Sequence, residues 1–498
     1  MSSDLLQYAL STNPEKLAVV SGSTSFSFNE VHRRANGLMR HLAESDVKPG
    51  DRVVLLAKNV PQFLEIKVAC MRQGAVLVPI NFRLAAAEVD YIAQDCEPAI
   101  VIYEPELAES IKNIGGQKLA MDHAYEGIVS QGDDVEPLTV DPDCDCTILY
   151  TSGTTGRPKG AVLKNRALYA RINANLFEYA VSSTDVFLQC LPMFHIASNV
   201  SYSYTYAGAT NIFLKDFHPL AVLELLAQHQ VSTALLVPTM INALVHQPET
   251  KNADLSSLTR IAYGASPIAP SLLTSAMELI DCDFFQMYGM TETSAATVLR
   301  SEHHNPSGSP ELLASAGQTA LGMQTRVVND KDQPVDSDVV GEVVCKGDAV
   351  MHEYWKKPEA TQEVLKDGWM HTGDMGYQNE GGFFFITDRK KDMIVSGGEN
   401  IYPREVEDVL FEHPDVLEAA VIGVPDETWG ERVHACVVSE ENREIDLNEL
   451  STFLRERLAG YKLPRSFDVF KELPKNAAGK ILKTELRQPY WENTERHV

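Results

Sequence analysis

Between Asp51 and Ile102 the chain alternates apolar, strand-like runs with amphipathic, helix-like stretches: "DRVVLLA", "VPQFLEIKVACMRQG", "AVLVPI", "LAAAEVDYIAQDC" and "PAIVIY". Apolar runs bounded by turn residues and interleaved with helical periodicity predict βαβ units and a largely parallel sheet. The pattern returns between Asp185 and Ile268 in "DVFLQCLP", "ATNIFL", "HPLAVLELLAQHQ" and "STALLVP", which predicts a second α/β layer system. From Ala316 to Ile386 the texture changes to short strands with Gly, Asp and Pro turns, a β-rich section. After the charged "DRKKD", a helix, two strands and a helix ("PREVEDVLFEH", "VLEAAVIGVP", "ERVHACVVS", "DLNELSTFLRERLAG") predict a small separate α+β domain. The expected class is α/β: a large N-terminal domain of α/β sheet layers plus a β-rich section, followed by the small domain.

At 498 residues the chain is too long for one core. Its net charge of -26 opposes binding to nucleic acid or an anionic membrane surface, so an anionic ligand needs locally placed cations and backbone N–H groups. "MSSDLLQYAL" lacks a basic segment followed by an apolar one, and no apolar run is long enough for a membrane span, so a cytoplasmic protein is expected. The eight cysteines are scattered, and only Cys144 and Cys146 are close. Alternation places both on one side of a strand start, which suits a soft-metal site or, as expected here, two buried structural thiols.

"TSGTTGRPKG" (Thr151 to Gly160) has the hydroxyls, glycines and lysine of a phosphate loop without the Walker spacing, because no Ser or Thr follows Lys159. The following "AVLK" is strand-like, so strand, loop, strand is expected. Hydroxyls and glycine N–H groups there can wrap a polyphosphate while Lys159 offsets its charge; a flexible surface turn is the plainer alternative. "YGMTET" puts Thr291 and Glu292 at a strand end, where open α/β sheets bind ligands and where a glutamate can hold phosphate-borne Mg2+. "HTGD" offers Asp374 to the hydroxyls of a ribose, "DRKKD" offers Arg389 to the same sugar, and "PKNAAGKILK" sets Lys480 in a glycine-containing turn.

In their order along the chain, "YTSGTTGRPKG", "LPMFH", "YGASP", "YGMTE", "HTGD", "DRKKDMIVSGGENIYPREVE" and "PKNAAGKILK" resemble the adenylate-forming superfamily of acyl-CoA synthetases, nonribosomal adenylation domains and beetle luciferases. The likeness is greatest to bacterial fatty-acid and aryl-acid CoA ligases. The resemblance implies that ATP and a carboxylate give acyl-AMP and pyrophosphate, after which a thiol displaces AMP. It implies Lys480 as the adenylation lysine and Thr151, Ser152, Gly153, Thr154, Thr155, Gly156 and Lys159 as holders of the β- and γ-phosphates. Thr291 is expected on the α-phosphate and Glu292 on magnesium. Gly264, Ala265, Ser266 and Tyr288 are expected around adenine, with Asp374 and Arg389 on ribose. It further implies an N-terminal domain over 1–388, a hinge over 389–391 at Lys391, and a mobile lid over 392–498, with Gly397 and Gly398 lining the thiol tunnel.

Amino-acid-activating relatives carry an aspartate where this chain has His195, so an acid without an α-amine is expected. His195 is read as a carboxylate contact or pocket gate, or else as a structural histidine. "IASNVSYSYTYAG" predicts a helix with Ser198, Tyr202 and Tyr206 on one face. If it forms a pocket wall, as in relatives, it sets acyl length together with Val237, Thr239, Met287 and Ala295. The expected acid is a medium- to long-chain fatty acid, with a cinnamate- or benzoate-type aryl acid as the alternative. The expected acceptor is CoA, with an acyl carrier protein as the alternative, and a homodimer is a family-level expectation. The contrasting class is a nucleotide-binding regulator that has lost the chemistry.

Overall fold

Alternating side-chain burial along the strands builds a layered molecule. The computed structural model describes residues 4–133, 141–151, 158–389, 392–396, 399–426, 428–439, 443, 445–475 and 481–491. Among these, the first sheet has nine strands in the order Gln318–Thr319, Ser294–Leu299, Asp283–Met290, Arg260–Gly264, Thr233–Leu236, Val186–Gln189, Thr210–Phe213, Leu17–Ser21 and Thr24–Ser27. From Asp283–Met290 to Leu17–Ser21 all neighbours are parallel. The second sheet has seven: Glu353–Tyr354, Lys159–Lys164, Asp145–Thr151, Val76–Ile80, Arg52–Leu56, Ile100–Tyr103 and Gln117–Ala120, parallel from Asp145–Thr151 onward.

In Arg52–Leu56, Val53 and Leu55 enter a core shared by both sheets, while Val54 and Leu56 pack outward with Val89 and Ile92 of the helix Ala86–Cys96. In the first sheet, Leu236, Ile261 and Tyr263 face the outer helices Pro219–Gln228, Pro238–His246 and Pro270–Leu279. Both faces of each sheet are therefore covered, which is why these strands are apolar throughout. Between the sheets lie the helices Phe28–Glu44, Gln62–Gln73, Asn165–Glu178 and Ala197–Tyr206.

The β-rich section forms a third, antiparallel sheet from Met323–Val328, Gly341–Gly347, Trp369–Gln378, Leu365–Lys366 and Phe384–Arg389. The fourth sheet begins at Ile394–Ser396 and is built on Val416–Asp426 and Gly430–Ser439. Helices Pro403–Phe411 and Leu447–Arg455 cover one face and Lys483–Trp491 the other. The α/β class, the β-rich section and the small C-terminal α+β unit are those expected from the sequence. The cysteine pair is not: Cys146 is buried in the strand, whereas Cys144 precedes it and is exposed. A register shift at Asp145 to Thr147 breaks the alternation assumed for them. No metal-holding cluster of three or more His, Cys, Asp or Glu occurs among the described residues, and no helix there is long and apolar enough to cross a membrane.

Candidate active site

Four parallel strands of the first sheet, Val186–Gln189, Thr233–Leu236, Arg260–Gly264 and Asp283–Met290, present their carboxyl ends to one cavity of about 980 Å³. The first contributes Leu191 and His195, the second Val237 and Thr239, the third Gly264 and Ala265, and the fourth Thr291 and Glu292. Ligands collect at such edges because the connections leaving the strands diverge there. The turn that ends the fourth strand is pinched. A Cβ on Gly289 would lie 1.7 Å from the Ser294 carbonyl oxygen, so glycine is required where the chain doubles back.

The phosphate-loop expectation of strand, loop, strand holds for the described part. Asp145–Thr151 and Lys159–Lys164 pair antiparallel, with Thr151 opposite Lys159, and both of these residues line the cavity. Ser152, Gly153, Thr154, Thr155 and Gly156 lie outside the described residues, as do Lys391, Gly397, Gly398 and Lys480. Lys475, which precedes Lys480 in the same motif, lines the cavity from the C-terminal unit.

Each of the two key carboxylates is held by a phenol. Tyr354 Oη donates to Glu292 Oε1 at 2.7 Å, and Glu292 is only 4% exposed. Tyr288 Oη donates to Asp374 Oδ2 at 2.7 Å, while the Asp374 N–H donates to Thr372 Oγ1 at 3.0 Å. Burial, and then the adjacent carboxylate, raise both phenols above their ordinary titration range, so they remain donors. A phenol fixes one carboxylate oxygen without neutralising the charge, which leaves that charge available to a ligand. Lys159 Nζ stands 5.4 Å from the centre of the Tyr354 ring, so the loop lysine and the Glu292 holder meet across the cavity edge.

Behind this edge lies Arg171, fully buried, whose Nε donates to the Ala349 carbonyl at 2.8 Å and whose Nη2 donates to the Thr291 carbonyl at 3.1 Å. Burial lowers its pKa to about 10 against the opposing pull of Glu292. It ties the Thr291–Glu292 turn to the helix Asn165–Glu178. His195 lines the cavity against Phe194, with burial and then the like charge of Arg83 lowering its pKa to about 4. It is therefore a neutral imidazole at pH 7, able to accept or donate a hydrogen bond.

Several expected positions differ. Ser198 and Tyr202 do not line the cavity, because their face of the helix turns inward to the layer between the sheets. Tyr202 packs in the shared core, 5.9 Å from the buried Lys67 Nζ, and Ser198 Oγ donates to the His195 carbonyl. The expected neighbour Tyr206 packs edge-on against Tyr169. Asn199 and Val200 take the wall instead, beside the expected Val237, Thr239, Met287 and Ala295. Gly264 and Ala265 line the cavity and Ser266 does not; Tyr288 and Asp374 stand behind the lining residues Thr372 and Gly373. Strand register sets Arg389 opposite Asp374, and Arg389 is described in its backbone alone.

Residues 6–355 match the family described as AMP-binding enzyme, and residues 405–480 match the AMP-binding enzyme C-terminal domain. The chain belongs to the AMP-binding enzyme family. It is an enzyme of the acyl-CoA synthetase class within that family. It is 40% identical to feruloyl-CoA synthase of Amycolatopsis sp over 481 residues, covering 96% of each chain. It is 36% identical to fatty acid–[acyl-carrier-protein] ligase ScoC of Streptomyces coeruleorubidus over 505 residues, covering 97% of this chain and 95% of that one. The ATP-bound crystal structure of MatB from Rhodopseudomonas palustris matches with a TM-score of 0.91 at 28% identity, covering 98% of this chain and 99% of that one.

Proposed function

We propose that this enzyme joins a carboxylic acid to CoA in two steps, through acyl-AMP with release of pyrophosphate. The observation that carries the reading is the tyrosine-held Glu292 at a strand end beside the Thr151–Lys159 hairpin, with a second tyrosine-held carboxylate, Asp374, behind the cavity-lining Thr372 and Gly373. In this reading the hairpin and Lys159 restrain the β- and γ-phosphates, Thr291 meets the α-phosphate, and Asp374 with Arg389 takes the ribose hydroxyls. Glu292 suits a magnesium ion carried in on ATP: it is a single buried carboxylate at the cavity edge, and Mg2+ keeps most of its ligands from phosphate and water. The ion when bound offsets the charge of the polyphosphate.

The carboxylate oxygen attacks the α-phosphorus, the bond to the bridging oxygen breaks, and pyrophosphate departs. A poor electrophile thereby acquires a good leaving group. Lys480 offsets the charge that develops at phosphorus, and in the second step it withdraws with the C-terminal unit about Lys391 while the thiol enters past Gly397 and Gly398. Neutral His195 is placed to contact the substrate carboxyl. The apolar wall calls for an acid with an apolar body, which both the fatty-acid expectation and its aryl alternative satisfy.

Product analysis with ATP, Mg2+, CoA and a broad acid panel tests the proposal. AMP, pyrophosphate and acyl-CoA in equal amounts are expected. Transfer to a carrier protein in preference to CoA would reassign the acceptor, and binding of ATP without turnover of any acid would favour the regulator.

A further inference from the structure

The turn that carries Asp374 has a second set of supports on the strand beside it. Gly341–Gly347 pairs with Trp369–Gln378, with Glu342 opposite Met375 and Val344 opposite His371, so three residues, Thr372, Gly373 and Asp374, stand against Val343 alone. Such a bulge re-aims a side chain but takes backbone groups out of the ladder. The groups it frees are each held again. Thr372 Oγ1 donates to the Val343 carbonyl at 2.7 Å and accepts the Asp374 N–H at 3.0 Å. The N–H of Gly373, a glycine at φ +72°, donates to Glu342 Oε1 at 3.1 Å. The other carboxylate oxygen, Oε2, lies 3.3 Å from His371 Nδ1, so Glu342 bridges the residues on either side of Thr372. Glu342 and His371 both line the cavity, with side chains 14% and 8% exposed. A neutral acceptor would satisfy the same N–H, and a carboxylate beside a cavity proposed for an anionic nucleotide opposes it on charge. What the carboxylate adds is strength, because a charged acceptor makes a hydrogen bond about twice as strong as a neutral one.

We infer that Glu342 is a positioning residue for the nucleotide, locking the Thr372–Gly373 turn so that Asp374 meets the ribose hydroxyls without reorganisation. The inference rests on the reading proposed above, in which Asp374 takes the ribose. Tyr288 fixes the Asp374 carboxylate through Oδ2, and Glu342 fixes the backbone that carries it. Removing Glu342 frees the Gly373 N–H, and a glycine released from a left-handed turn has more backbone freedom to regain than any other residue. Asp374 then keeps its charge and its tyrosine but loses its aim. The loss falls on recognition of the ribose, not on adenine, phosphate or acid.

The test is kcat/KM for acid-dependent pyrophosphate release with ATP and with 2′,3′-dideoxy-ATP, which lacks both hydroxyls, using the best acid of the panel above. Wild type, Glu342→Ala, Glu342→Asp, Asp374→Ala and the double variant Glu342→Ala/Asp374→Ala are compared. Glu342→Ala is expected to lower the value for ATP about tenfold, mainly through KM, and the value for the dideoxy nucleotide by about twofold or less. On top of Asp374→Ala it is expected to cost little more, since both changes remove one contact. Glu342→Asp keeps the charge with a shorter reach and is expected to fall between wild type and Glu342→Ala; if the alanine variant does not fold, it carries the same comparison. Equal losses with the two nucleotides, or additive losses in the double variant, would overturn the inference and leave the ligase reading standing. A wild type that uses both nucleotides equally well would overturn it too, and would take the ribose from Asp374. Release of pyrophosphate from neither nucleotide with any acid would overturn the ligase reading itself.

Discussion

In the proposed reading the nucleotide half and the acyl half of the cavity meet at the strand ends of the first sheet, the second and third sheets adding the hairpin and Asp374 to the former, yet the two halves are furnished in opposite ways. On the nucleotide half, Glu292 and Asp374 are held by Tyr354 and Tyr288, and the turn between them and the core is tied down by Arg171. On the acyl half, the lining is mostly side-chain carbon, and the buried Asn199 Nδ2 has no partner among the described residues. Polar groups fixed before the ligand arrives need no reorganisation when charge develops, so the nucleotide half can serve any acid. A mostly apolar lining discriminates among ligands mainly by shape.

The sharpest way to break this division is Lys480→Ala. Acyl-AMP formation is expected to fall by about a thousandfold or more, while thioester formation from preformed acyl-AMP changes little, as stopped half-reactions would measure. Equal loss in both steps would remove the lysine from the nucleotide half and the swing of the C-terminal unit with it. Next in size is Glu292→Gln, with an expected loss of about a hundredfold in kcat and a raised Mg2+ requirement. Tyr354→Phe is expected to cost less, and the two changes should be non-additive in a double-mutant cycle if the phenol acts through Glu292. Asp374→Asn is expected to raise KM for ATP about tenfold, a loss of about 1.4 kcal/mol of the kind a charged hydrogen bond supplies. KM for the acid should move little, and an equal rise in both would blur the two halves into one site.

The smallest effect concerns His195, whose pKa falls from 6.5 to about 4. Between those values the unfolded chain binds more protons at this position than the folded chain does. His195 therefore costs the fold stability as pH drops from about 6.5 to about 4, and has no such effect above that range. Urea titrations of the wild type and His195→Phe should diverge as pH falls through that window and run parallel above it. A divergence above pH 7 instead would mean that the imidazole is not held neutral.

What the sequence made legible follows the same line between the halves. Thr151, Lys159, Thr291, Glu292 and Asp374 sit in glycine- and threonine-rich motifs whose local chemistry announces itself; a strand end of the first sheet brings Thr291 and Glu292 to the cavity, the hairpin of the second sheet brings Thr151 and Lys159, and Asp374 stands behind its lining on the third sheet. Their supports were silent. Arg171 is one arginine in an otherwise ordinary helix, and only the closed fold reveals that it is buried against the Thr291 turn. Tyr354 is distant in sequence from Glu292 and meets it because Glu353–Tyr354 adds to the edge of the second sheet. The acyl wall was the least legible. Periodicity placed a helix within 196–208, observed over Ala197–Tyr206, but it does not say which face meets the cavity when a helix is buried between two sheets. Tyr202 was accordingly expected in the pocket that Asn199 and Val200 line.

Acid-dependent exchange of labelled pyrophosphate into ATP, in the absence of CoA, tests the central claim most directly. The account predicts exchange that needs both Mg2+ and a carboxylic acid and that disappears in Lys480→Ala. Exchange that proceeds without acid, or hydrolysis of ATP to ADP and phosphate in place of exchange, would contradict it.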